Sequence, residues 1–198
     1  MPLKITKDDV AEFKKLVQKL TSKQVLVGIT EDNADRGDSE INNAAIGYIM
    51  ENGCPEKNIP ARPHLVPGLR ETVPRAITIL KTAAKKTLTL EGRQDPEIME
   101  KAMMKIGMIA VGNVQKIILA KIPPPLADST LKARAARAGN SKKGISIAKG
   151  AIAELEMRTQ LRATFGPEFM PASVNVTPLV DSGEYLHKIT YVVRDRTK

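Results

Sequence analysis

From Met99 to Ile118 apolar side chains recur every three or four residues, at Met99, Met103, Ile106, Ala110, Val114, Ile117 and Ile118. That period predicts a helix over about 96–121. No other feature constrains the fold as strongly, because an apolar stripe of that length has to be covered by other elements. Asp95-Pro96-Glu97 opens it with a capping residue, a proline in the first turn and a carboxylate at the positive end of the helix dipole. Pro123-Pro-Pro125 stops it. Gly107 and Gly112 inside it cost about 1 kcal/mol each relative to alanine; they either admit a closely packed helix or are tolerated.

The remaining elements follow from similar signals. Residues 6–20 read as an amphipathic helix capped at Thr6, and Gln24 to Thr30 as a strand with Val25, Val27 and Ile29 alternating. Glu31 to Asp38 is a polar loop. A short helix at about 40–52 has Ile41, Ala45, Tyr48 and Ile49 as its expected stripe and Gly53 as its C-cap. The stretch from Cys54 to Pro63 reads as extended, since each proline pushes its predecessor out of the helical region. A long helix fits about 67–88, with Leu69, Val73, Ile77, Leu80 and Ala84 on one side; Pro74 is awkward there and suggests a later start.

Asp128 is placed to cap a short basic helix running to Arg137, residues 139–144 form a flexible break, and 146–164 is helical again. Pro178 to Gly183 is a turn before a terminal strand through Ile189, Tyr191 and Val193. The two end strands pair most simply in one small sheet covered by the long helices. The expected class is α+β, a small mostly antiparallel sheet on long helices, with a helical insertion before the C-terminal strand. Residues 1–137 and 178–198 make the core domain, and 138–177 an insertion or extended arm.

Composition narrows function. A chain of 198 residues suits one domain, with or without an insertion. One cysteine and two histidines close neither a disulfide nor a structural zinc site. No uninterrupted apolar run approaches the roughly 20 residues that span a bilayer, and Met1-Pro-Leu-Lys4 lacks a signal-peptide core. No membrane partner is therefore expected. The net charge of +9 speaks of partners, but no Trp, three Tyr and three Phe weaken the case for a single-strand stacking platform. Any DNA contact would be phosphate-led and indifferent to sequence.

Catalytic patterns are sought without success. Cys54 with His64 or His187 is the available Cys/His pairing, and nothing flanking Cys54 activates it. Asp181, Ser182 and His187 lie near one another in a Pro-Leu-Val-Asp-Ser-Gly turn, without a nucleophile elbow. No Gly-Lys-Ser/Thr phosphate loop, metal motif or dinucleotide fingerprint occurs, and the methionines of 96–121 read as core filler. The expectation is no enzyme and no cofactor. Charge is more informative. Lys132, Arg134, Arg137, Lys142, Lys143 and Lys149 form a basic stretch without an acid; Glu31, Asp32, Asp35, Asp38, Glu40, Glu51 and Glu56 oppose Arg36 alone. These are either two solvated faces or complementary surfaces of a head-to-tail assembly, and the basic one could instead face phosphates.

Several patterns combine in one order: Ala44-Ala-Ile-Gly-Tyr48, Glu51-Asn-Gly53, Ile59-Pro-Ala-Arg-Pro-His-Leu65, Lys105-Ile-Gly107, and Asn113-x-Gln115-x-x-Ile118. Pro124-Pro-Leu126 with Ser129-Thr130 and Arg134 follows, then Pro178-Leu-Val-Asp-Ser-Gly183, Leu186 and Ile189-Thr-Tyr-Val-Val193. This order resembles the tail-component family of long-tailed phages that includes lambda's minor tail protein Z, over most of 24–138 and 177–194. Two departures stand out: about 40 residues, 138–177, where the family has a short connection, and His187-Lys188 where it carries small polar residues.

The resemblance implies a structural virion protein of the neck, completing the head-proximal end of the tail. It implies a homomeric ring, sixfold by analogy with phage tails, located in the virion and assembled in the host cytoplasm. Its partners would be copies of itself, tail terminator or tail tube proteins, head-closure or connector proteins, and genome DNA in non-specific contact. Candidate interface residues are Arg62, Pro63, Leu65, Pro125, Leu126, Asp181 and Tyr185. The alternative is a non-specific DNA-binding module using Lys132 to Lys149 as a phosphate clamp. Ile59-Pro60 and Arg62-Pro63 would hold the Arg62 guanidinium at a fixed angle, toward a neighbouring subunit or its own loop.

Overall fold

The computed structural model describes residues 11, 14–15, 17–18, 21–35, 41–89, 97–137 and 142–196. Those of 11–18 and residue 21 are helical, and the rest of the helix expected at 6–20 lies outside the described residues, as do Arg36, Asp38, Glu40 and the Asp95-Pro96 start signal.

The two end strands do pair. β1 (Lys23–Gly28) runs antiparallel to β2 (Thr190–Asp195), from Lys23 opposite Asp195 to Gly28 opposite Thr190. A two-stranded sheet is marginal alone, and here it rests on the long apolar helix, α3 (Ile98–Leu119). Between them come α1 (Asn43–Asn52) and α2 (Leu65–Thr87); α4 (Asp128–Ala136), α5 (Lys142–Phe165) and the short α6 (Glu184–Lys188) follow. The architecture is α+β, a small antiparallel sheet with long helices. By length and composition α3 could cross a bilayer, although no uninterrupted apolar run predicts it; in this fold it packs against α2, β1 and β2.

Side chains decide how closely these elements meet. At Gly107 the ring of Tyr191 from β2 occupies the space a side chain would need, whereas Gly112 faces open space. The close helix–helix approach is made by Gly68 of α2, where a Cβ would lie 2.7 Å from Val114 Cα. Around that contact the packed face of α2 is small and polar, with Gly68, Thr72, Ala83 and Thr87 buried. Thr72 Oγ1 donates to the Gly68 carbonyl at 2.9 Å and accepts from Asn113 Nδ2 at 2.9 Å.

The expected stripe on α2 therefore faces the other way. Leu69, Val73 and Ile77 are 37%, 51% and 46% exposed. Pro74 sits inside the helix on this outer side, where water can serve the Arg70 carbonyl that its missing N–H leaves without a helix partner. The stripe expected on α1 is also displaced: Ala45 and Tyr48 are exposed, while Asn43 and Gly47 are buried. Gly47 is what lets Tyr185 in, since a Cβ there would meet the Tyr185 hydroxyl at 2.8 Å.

Cys54 to Ile59 is not extended. It is a tight turn closed by a bridge between Cys54 and Ile59, reached through Gly53 at φ 79°. A side chain at Gly53 would be strained by that φ and would press on the Ala61 backbone at 2.8 Å.

Two apolar clusters result. Val114, Ile118, Tyr185 and Ile189 form one, with Ile29, Ile46, Leu65 and Leu179 against it. Leu126, Leu131, Ala151 and Val176 form the other, where α5 folds back on α4. The segment 142–177 thus lies on the chain, and Lys121 Nζ donates to the Val174 carbonyl to hold its return path.

Candidate functional site

Three buried arginines organise the middle of the molecule. Proline-rich segments lack the N–H donors that build regular ladders, and a guanidinium fork is a suitable donor for the carbonyls they leave over. Arg62, 4% exposed, gives Nη2 to the Pro124 carbonyl at 2.9 Å and Nε to the same oxygen at 3.2 Å. Arg134, 6% exposed, donates to the carbonyls of Val180 at 3.0 Å and Pro178 at 3.1 Å, with Asp181 Oδ1 3.5 Å from Nε. Burial holds the pKa of Arg62 below the usual arginine value, and the nearby Arg134 adds to that; burial does the same for Arg134, opposed by Asp181.

Arg158, fully buried, donates to the Leu126 carbonyl at 2.6 Å, to Asp128 Oδ1 at 2.8 Å and to Glu154 Oε1 at 3.3 Å. The other Glu154 oxygen accepts from the Val174 and Asn175 N–H groups, so one buried ion pair fastens α5 to both neighbouring segments. Asp128 is not the helix cap: α4 starts at that residue, and its carboxylate serves Arg158 and Arg162 instead. Its pKa is lowered, first by the Arg162 hydrogen bond, against a smaller opposing effect of burial.

A second polar group joins α1, α2 and α6. Glu51 accepts from the N–H groups of His64 at 2.7 Å, Leu65 at 2.9 Å and Val66 at 3.0 Å. It thus caps the start of α2 from another helix, where no side chain of α2's own does so. Burial works to raise the Glu51 pKa, but the three N–H groups and His64 together bring it below its ordinary value.

His64 is fully buried; its Nδ1 lies 2.8 Å from the Arg62 carbonyl and 3.3 Å from Glu51, and its Nε2 lies 2.5 Å from Tyr185 Oη. Two acceptors at Nδ1 call for a proton there, and on the other side of the ring Nε2 and the tyrosine hydroxyl share one hydrogen bond. The Tyr185 pKa is raised well above its ordinary value, by burial and then by Glu51. Asn43, also fully buried, donates to Glu184 Oε1 at 3.2 Å, while its Oδ1 has no partner.

The interface candidates are thereby placed. Arg62, Leu126 and Tyr185 are buried within the chain. Leu65 and Pro125 are half-buried, Pro63 is exposed, and Asp181 pairs with Arg134 and Arg137. The basic stretch is broken in the same way: Lys132, Lys142, Lys143 and Lys149 are exposed, but Arg134 is internal and Arg137 is held by Asp181 at 3.1 Å. Both nitrogens of His64 are taken up by the Arg62 carbonyl and the Tyr185 hydroxyl, and Ser182 Oγ accepts the Glu184 N–H, stabilising a turn.

Sequence reasoning missed Glu51 as a cap, counting it with the exposed acids, and missed Arg158. The available signal for Arg158 was its position four residues after Glu154, on one helix face.

Two of the exposed apolar surfaces among the described residues bear on partners. One is the outward face of α2, with Val66, Leu69, Val73 and Ile77 each at least 37% exposed. The other is α1, where Tyr48 is 72% exposed at the rim of a cavity of about 290 Å³ lined by Gly28, Ile29, Ala44, Leu65 and Ile189. Compared with protein-family models, with curated proteins and with solved structures, the chain matches none of them.

Proposed function

We propose that this chain is a structural protein of a tailed-phage head–tail junction, which joins copies of itself into a ring at the head-proximal end of the tail. The observation that carries the assembly part is the outward face of α2, a row of Val66, Leu69, Val73 and Ile77 left exposed on a 23-residue helix. Contiguous apolar rows of this kind on soluble chains mark contact surfaces. The motif order shared with the tail-component family supports the location. Its sixfold symmetry would come from the tail that it meets.

In this mechanism the polar clusters keep each subunit rigid. Arg62, Arg134 and Arg158 tie the proline-rich segments down, so the exposed faces are presented in fixed relation to one another. Native mass spectrometry of the full chain, alone and with purified tails, tests the reading; a ring, or stoichiometric attachment at the head-proximal tail end in particle images, is expected. Images that locate the chain elsewhere in the particle would overturn it. The DNA-clamp alternative loses Arg134 to internal bonds, while Arg137 stays at the surface in an exposed pair with Asp181. A salt series decides it, because a clamp on duplex DNA weakens roughly 10³-fold or more between about 50 and 200 mM salt.

A further inference from the structure

We infer that the contact is head-to-tail, the outward face of α2 in one copy seating the Tyr48 side of α1 in the next. This rests on the assembly reading and names its two surfaces. The apolar row on α2 continues through half-buried Leu80 and Ala84 to Leu88, which is 40% exposed. From Val66 to Leu88 that is a strip of roughly 33 Å by 10 Å at 1.5 Å rise per residue, well short of the ~800 Å² per partner that a standard interface covers.

The contact must therefore spread onto the flank of the row. At ~100° per residue that flank holds Arg70, Lys81 and Lys85, all exposed and with no acid among them. An antiparallel pairing of two α2 faces would set these cations side by side, which is unfavourable. The seat calls for an apolar knob with acids on either side.

α1 presents that pattern. Tyr48, the kind of residue that anchors interfaces, stands 72% exposed near its middle. Exposed Glu31, Asp32 and Asp35 lie just before its N-terminus, where the Asn43 N–H binds the Ala34 carbonyl at 2.8 Å, and exposed Glu56, beside exposed Lys57, follows its C-terminus, so the N-terminal side is the more acidic. Ten helical residues separate these acidic ends by roughly 15–20 Å; Arg70 and Lys81–Lys85 lie roughly 17–22 Å apart along α2. The spans match, with Tyr48 opposite Val73 and Ile77. Because the two surfaces differ, repetition closes a ring or extends a filament.

The test uses the full chain with Val73→Glu on α2 and Tyr48→Glu on α1, both at exposed positions, with circular dichroism to check that each folds. Each variant alone is expected to associate about 30-fold more weakly or worse and to run as a monomer in sedimentation. Mixed one to one, they are expected to form a dimer and stop there, since each keeps one sound surface. A mixture that stays monomeric, or a Tyr48→Glu chain that still assembles, overturns this pairing while leaving the ring reading standing. Wild-type chain that stays monomeric both alone and on purified tails ends both.

Discussion

Tyr185 Oη lies 2.5 Å from Nε2 of His64, with the histidine fully buried and the tyrosine 7% exposed. This bond ties α6, and through it β2, to the start of α2, while Glu51 ties α1 to the same point. Segments around Glu51, His64 and Tyr185, far apart in the chain, meet in one polar cluster beside the first apolar core.

Removing the hydroxyl tests that junction. Tyr185→Phe removes the hydroxyl bonded to His64 Nε2 and is expected to cost about 1–3 kcal/mol. Chemical denaturation measures it. Gly47→Ala puts a methyl 2.8 Å from the same hydroxyl and is expected to destabilise despite the helix preference of alanine. In the Tyr185→Phe background its penalty should fall by about 1 kcal/mol. Strict additivity would mean that the two residues do not meet.

Acid stability should follow the two depressed carboxylates. The folded-state pKa values of Glu51 and Asp128 both lie below their ordinary values of 4.5 and 3.8. Their contribution is complete above those values and is lost as pH falls through the lower, folded-state ones. Glu51→Gln and Asp128→Asn should each flatten the fall of stability in that acid range. Glu51→Gln should also cost about 1–2 kcal/mol near neutrality as a weakened cap. Unchanged slopes in urea titrations across pH would refute the assignment.

Arg158→Met leaves the Glu154 carboxylate buried without its counter-charge and is expected to cost about 3–5 kcal/mol. The effect should be felt first where α5 meets α4. Limited proteolysis should open sites in 142–177 earlier than in wild type; an unchanged digestion pattern would contradict the role given to this pair.

Arg62→Ala is expected to lower stability by about 2–4 kcal/mol, since the Pro124 carbonyl loses its two donor groups and a buried side chain is removed. Arg62→Lys should recover little, because a single ammonium cannot reproduce the fork. A variant that melts like wild type yet fails to assemble would return Arg62 to an interface role.

How much was legible can be argued from particular elements. The amino-acid sequence determined where the long helices and the two strands lie, though not the short α6 before β2 or the start of α5 inside the expected 139–144 break. α3 followed from its 3.6-residue period and the prolines after it, and β1 and β2 from β-branched alternation at the two ends, because these signals act within a few residues of backbone. It also determined that Gly53 would end a helix and that Pro178 to Gly183 would turn.

Only the tertiary structure decided which faces are inside. On α2 the apolar row looks like the buried side in any helical projection, yet Gly68 admits the Val114 backbone and draws Thr72, Ala83 and Thr87 inward instead. Closest approach of two backbones, rather than side-chain hydrophobicity, set that orientation. Arginine was likewise read as surface charge, because a run of cations carries no sign of the carbonyls it will meet. Those of Pro124 and Pro178 come within reach of Arg62 and Arg134 only after residues 62 and 44 positions apart, respectively, are brought together. Local order is encoded locally, while burial depends on neighbours that sequence distance conceals.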